Sequence, residues 1–262
     1  MKAILTVITF LFLQYDCFAQ SAIAISASRL YFAEEGSKEQ SFIIKNLNSN
    51  DTLNIRISVH DWNYDLFGNN KVYPAGELAT SLANYLTIDS GDYITLAPDA
   101  VDTIRVTINA IPNDGVTVHT AMLYLTQIEK PNINTTSLAI NMVVQVGVKI
   151  YYKNKEHTNS ELQLSNFKLV KKDRENNQSL MLSIHNSGNI WLEGVIKYEL
   201  LNLDTREMIR LGNTEFFTLP ADKQQVSINL PPNLKNGSYK AYALVEPITN
   251  NGINNVELIF TN

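Results

Sequence analysis

Short runs of β-branched and aromatic residues, each closed by a turn signal, recur along almost the whole chain and decide what it can fold into. Ala22-Ile23-Ala24-Ile25, Ser41-Phe42-Ile43-Ile44, Leu53 to Val59, Thr103 to Ile108 and Ala121 to Leu125 are such runs. Glu35-Gly36-Ser37, Asn48-Ser49-Asn50-Asp51 and Ala97-Pro98-Asp99 separate them. Strands this short, punctuated this way, form antiparallel sandwiches rather than a parallel α/β sheet. Gly76 to Tyr85 is the one stretch with helical character, for two turns at most. The longest alternation runs from Ser137 to Tyr152, and the polar Lys153 to Ser160 follows it without apolar periodicity, which marks a domain boundary. A second series begins beyond it: Phe167–Val170, Leu180–His185, Trp191–Leu201, Gln225–Leu230, Tyr239–Val245 and Val256–Phe260. The fold class expected is all-β, with two β-sandwich domains in tandem over 20–153 and 154–262.

The first 19 residues read as a secretory signal peptide. Lys2 precedes an apolar run too short to span a bilayer, and the small Cys17 and Ala19 stand where cleavage requires them. Tyr15-Asp16 do not suit a lipoprotein signal. Cys17 is the sole cysteine, so cleavage leaves no thiol for a disulfide, a zinc–thiolate site or a nucleophile. No second stretch is apolar and long enough for a membrane span. With 21 Lys and Arg against 26 Asp and Glu and no basic block, the chain is a poor match for nucleic acid.

Catalytic motifs are missing from the sequence. His60, His119, His157 and His185 are scattered, and no H-E-x-x-H, G-x-S-x-G, G-x-x-x-x-G-K-[ST] or G-x-G-x-x-G occurs. His60 and Asp61 are neighbours on a strand and so face opposite ways. His185 reads as a boundary residue. Asp89, Asp92, Asp99 and Asp102 gather near a turn but lack the spacing of a calcium loop, which makes them solvated carboxylates. No enzyme activity, metal, cofactor, nucleotide or small-molecule substrate is expected.

Two cations stand at odd places. Arg29 heads Ser28-Arg29-Leu30-Tyr31-Phe32, and Lys149 interrupts the apolar Val148-Lys149-Ile150-Tyr151-Tyr152. A cation inside a strand costs desolvation unless it meets an anion or water. The plain alternative is a lysine whose stem snorkels to solvent.

Together with their surroundings these residues resemble the PapD-like periplasmic chaperones that assemble pili and fimbriae. The family's opening strand with an Arg before an apolar segment is similar to Ser28 to Phe32, followed by the acidic Glu34-Glu35-Gly36 turn and an apolar strand ending in Asn46. Its Trp-bearing strand is similar to Ile57 to Trp62. Its Leu-x-Pro turn before an Arg-bearing strand is similar to Leu96-Ala97-Pro98 through Arg105, and its closing strand to Val148 to Lys153. The likeness covers 22–153; over 160–262 it is one of length and strand character. Ser90-Gly91-Asp92, Lys153 and Thr120 depart from the pattern, the last two at positions of the charge network that joins the family's two domains.

The resemblance implies two immunoglobulin-like domains with a cleft between them, in which Arg29 and Lys149 grip the C-terminal carboxylate of a pilus subunit. It implies a donor strand as well. Counting back from Lys149, Ile140, Met142 and Val144 would fill the groove of an incomplete subunit, by β-augmentation. Periodicity alone favours packing of this apolar face inside the protein's own sandwich. The short loop Glu129 to Ser137 is similar to the short-loop branch of the family. The partners implied are pilus or fimbrial subunits and an outer-membrane usher, and the location is the periplasm. The rival reading is an exported binding module for an envelope protein or a surface polysaccharide, resting on exposed aromatics such as Tyr64, Tyr73 or Trp191.

Overall fold

The computed structural model describes residues 23–110, 112–128, 143–154, 158–171, 178–248 and 254–262. The signal segment, Ile140, Met142 and the loop 129–137 lie outside them. In chain order the first ten strands are β1 (Ile23–Ile25), β2 (Arg29–Ala33), β3 (Glu39–Asn46), β4 (Leu53–Tyr64), β5 (Asn70–Tyr73), β6 (Leu86–Ile88), β7 (Tyr93–Leu96), β8 (Val101–Ile108), β9 (Val118–Gln127) and β10 (Gln145–Lys153). They form two sheets. One is ordered β1-β3-β8-β6; the other is β2-β10-β9-β4, with β5 and β7 both on the far edge of β4. Alternation sorts their side chains: Phe42, Ile44, Ile104 and Val106 from one sheet meet Ile55, Leu123, Leu125, Val148, Ile150 and Tyr152 from the other in a closed core. Asn46 is buried at the end of β3, where its amide donates to the carbonyls of Asp51 and Ala97 at 2.9 Å each and ties two turns to the strand.

The remaining strands are β11 (Leu162–Lys171), β12 (Gln178–Asn186), β13 (Leu192–Asn202), β14 (Met208–Thr218), β15 (Lys223–Asn229), β16 (Ser238–Pro247) and β17 (Asn254–Thr261). They make a sheet β11-β12-β15 facing a sheet β14-β13-β16-β17 around Leu182, Ile184, Ile196, Tyr198 and Val245. Asn186 repeats the device of Asn46, donating to the Ile190 carbonyl at 2.8 Å. Strand β14 goes beyond the sequence expectation. Its central Gly212-Asn213-Thr214 looks like a turn, but the register shifts between Tyr198 and Glu199 of β13, and the bulge absorbs Gly212 at φ 123°. The helical character of 76–85 reduces to a single 3₁₀ turn, Ala83–Tyr85. The buried Asp61 carboxylate holds the Leu78 amide (2.8 Å) and the Ser81 hydroxyl (2.6 Å) instead, fixing the segment as turns.

One feature of the first domain positions the site. The chain leaves β1, which pairs with β3 in one sheet, and crosses to β2, which runs parallel to β10 in the other. Pairing of β2 with β10 begins only at Arg29–Lys149, so Gln145 to Val148 of β10 has β9 on one side and, among the described residues, no strand on the other. The Val144 carbonyl accepts from Gln127, towards β9, and the Lys149 amide donates to Ser28, towards β2. Since backbone groups alternate direction along a strand, Gln145 and Gly147 aim their N–H and C=O at the open edge.

Candidate functional site

Register puts Arg29 and Lys149 side by side on adjacent parallel strands, so their side chains leave the same face of the sheet. That face is opposite to the one bearing Val148 and Ile150, and the second domain covers it. Trp62, Tyr64, Met122 and Tyr151 from the first domain pack with Leu219, Trp191 and Phe217 from the second. Both cations therefore lie in the cleft between the sandwiches, walled by aromatic rings.

The Lys149 ammonium donates to the Tyr64 hydroxyl oxygen at 2.9 Å and lies 4.4 Å and 4.5 Å from the ring centres of Trp62 and Tyr64. The Arg29 guanidinium lies 4.1 Å from the centre of the Phe217 ring. Ring faces compensate a cation only in part, by about 1–2 kcal/mol in such settings. Among the described residues neither cation forms an ion pair, and the Arg29 Nε is buried with no hydrogen-bond partner. Burial, with the Arg29 charge adding to it, pulls the Lys149 ammonium down to about 8. Arg29 stays charged: burial works against it, but Tyr151 and Tyr31 outweigh that and raise its value.

Two phenols stand beside the cations, and Tyr151 is coupled electrostatically to both Arg29 and Tyr64. Burial dominates at both: Tyr64 is pushed up to about 12 and Tyr151 higher still, so both keep their protons. The site thus gathers donors without an anion to receive them, which is the composition that takes a carboxylate.

The domains are joined here by rings rather than ions. Tyr31, Tyr151 and Trp191 form a triangular clasp of rings, with Tyr31 stacked on Tyr151 (5.1 Å) and on Trp191 (5.5 Å) and these two 5.3 Å apart, and the Tyr31 hydroxyl donates to Glu193 at 3.4 Å. The buried Thr120 hydroxyl has no hydrogen-bond partner. Further along the same interface lies a cavity of ≈ 450 Å³ lined by Thr80, Thr120, Asn189, Leu219 and Asp222, among others. The Asp222 carboxylate accepts from the Leu219 amide at 2.7 Å, and burial raises it to about 6.

Sequence reasoning named Arg29 and Lys149, and the fold brings them together. It missed Trp62, Tyr64, Tyr151 and Phe217 as their setting, although Tyr151 shares a face with Lys149 by strand parity. Tyr64 and Trp191, taken as exposed aromatics for a polysaccharide, are not: Tyr64 is 9% exposed and Trp191 is half-buried in the clasp. Val144, the one proposed donor within the described residues, is half-buried and packs with Val146 against the first domain's own core. His60 bonds to Ser58 at 3.1 Å and forms no dyad with Asp61. Among the described residues no group of three or more His, Cys, Asp or Glu is arranged to hold a metal ion, and no helix is long and apolar enough to cross a membrane.

The two-sandwich fold is similar to that of a solved chaperone structure. The YadV chaperone superposes with a TM-score of 0.50 at 12% identity, over 91% of this chain and all of that one (100%). A chain from a chaperone–tip adhesin complex of CFA/I fimbriae gives 0.49 at 15% identity, over 92% and 98% of the two chains. One from the Salmonella enterica SafA pilin–SafB chaperone complex gives 0.46 at 10% identity, over 93% and 97%. No family model matches the sequence, and no curated protein matches it.

Proposed function

We propose that the chain is a periplasmic chaperone that captures pilus or fimbrial subunits by their C-terminal carboxylate and completes their fold with its own strand. The observation that carries this reading is the pair Arg29 and Lys149, adjacent in the cleft and without an anion, at the head of an open strand edge. A carboxylate held by both cations would take charge-assisted hydrogen bonds, and losing one cation would cost about 2–5 kcal/mol of binding. The subunit's last strand would lie along Gln145 to Val148, pairing with the N–H and C=O of Gln145 and Gly147. With its C-terminus at Lys149 it must run in the same direction as β10, in line with β2. Ile140, Met142 and Val144 would supply the donated side chains, with Val144 leaving its place against the core. The division into a signal peptide (1–19), a client-binding domain (20–153) and a second domain (154–262) belongs to the same reading, as do an outer-membrane usher as further partner and the absence of catalysis.

The test is co-purification of the tagged protein from the periplasm of cells that export it, wild type beside Lys149→Ala. A small secreted protein retained by wild type and lost from Lys149→Ala supports capture through the cleft. The same partner held equally by both forms would replace this reading with that of a generic binding module.

A further inference from the structure

Resting on that reading of the cleft, we infer that Tyr64 is a third hydrogen-bond donor to the client carboxylate, and sets the preference for a free C-terminus over a neutral one. An ammonium has no acceptor, so in the 2.9 Å contact with Lys149 the Tyr64 oxygen must be the acceptor. That contact takes a lone pair of the Tyr64 oxygen and leaves its own proton without a hydrogen bond among the described residues. The ring is held by packing: Tyr64 is 9% exposed and sits edge-on to Trp62 at 5.0 Å. Its hydroxyl is thereby kept beside Lys149.

A carboxylate oxygen that reaches Lys149 comes within reach of that proton. Tyr64 stays neutral through the physiological range, because burial pushes its ionisation up to about 12. It adds a donor without adding a third desolvated charge beside Arg29 and Lys149. The arrangement reads a carboxylate specifically: an amide brings an N–H that meets only donors, leaving polar groups unpaired in a buried site.

The probe is an N-acetylated peptide of alternating valine and threonine, prepared with a free C-terminal carboxylate and as the C-terminal amide, titrated into the mature protein by calorimetry. Wild type is expected to prefer the acid, and Lys149→Ala to lose the preference. Tyr64→Phe is expected to lower the acid-to-amide ratio by about tenfold, the scale of one hydrogen bond to a charged group. Replacing Tyr64 by 3,5-difluorotyrosine separates donor from scaffold. Fluorination strengthens the phenol as a donor and weakens it as an acceptor, so the acid preference rises if Tyr64 donates to the ligand. A preference that falls or stays constant in the fluorinated protein, while Lys149→Ala still abolishes it, overturns the role of Tyr64 and leaves the cleft reading intact. Equal binding of acid and amide by wild type overturns both.

Discussion

Lys149 is held where it harms the free protein, and its replacement by methionine measures by how much. In the unfolded chain its ammonium titrates near 10.5; in the cleft, burial and then Arg29 pull it down to about 8. At about 1.4 kcal/mol per pH unit, that gap bounds the cost of keeping the charge folded near 3 kcal/mol, and partial solvent screening of the head reduces it to about 1–2 kcal/mol. Lys149→Met keeps a stem of similar length against Trp62 and Tyr64 and removes the charge. Between about pH 8 and pH 10.5 the unfolded wild type holds a proton that the native state has lost, so wild-type stability rises with pH across that window. Below it, the full cost is present. Urea unfolding should therefore find Lys149→Met more stable than wild type by about 1–2 kcal/mol near pH 7, with the gap narrowing towards pH 10. The same variant should lose its client. A methionine variant less stable than wild type near pH 7, or a gap that does not change with pH, would refute the argument that Lys149 is a desolvated cation kept for binding.

Three further outcomes follow from the cleft and its edge. Asp222→Asn should raise the melting temperature by a few degrees near pH 7. Its folded value of about 6 lies above the unfolded 3.8, so the native carboxylate loses stability as pH climbs through that window, and the advantage should vanish near pH 4 in thermal unfolding. Gln145→Pro removes an N–H that points to the open edge of β10 and spares the β9 ladder; it should change stability by less than about 1 kcal/mol while weakening client capture in the co-purification assay. Trp191→Ala removes ring contacts to Tyr31 and Tyr151 and should cost about 2 kcal/mol in urea unfolding while enlarging the radius of gyration in small-angle scattering.

The strands were legible because their apolar residues alternate and their ends carry Asn, Gly and Pro. Where that signal fades, so did the reading: β14 carries Gly212 and Asn213 in its middle, and only the bulge opposite Tyr198 shows why a strand tolerates them. Arg29 and Lys149 were visible as cations in strands where burial penalises charge. Their meeting was not visible in either strand alone, since it depends on the crossing of the chain from β1 to β2 and on the parallel register that follows. The aromatic setting was misjudged for the same reason. Tyr64 and Trp191 lie far apart in sequence, and only the packing of one domain on the other makes them walls of one cleft. The ring clasp that joins the domains has no motif, because ring stacking fixes contact area and angle rather than residue spacing.

The central claim is that a terminal carboxylate is what the cleft holds. Once a client co-purifies, the direct measurement is its binding with the natural C-terminus and with six glycines appended, which moves the carboxylate away from Lys149 while leaving the last strand intact. The account predicts that the extended client is lost to the same extent as from Lys149→Ala, and that combining the two changes costs little more than either. An extended client bound as tightly as the natural one would contradict it.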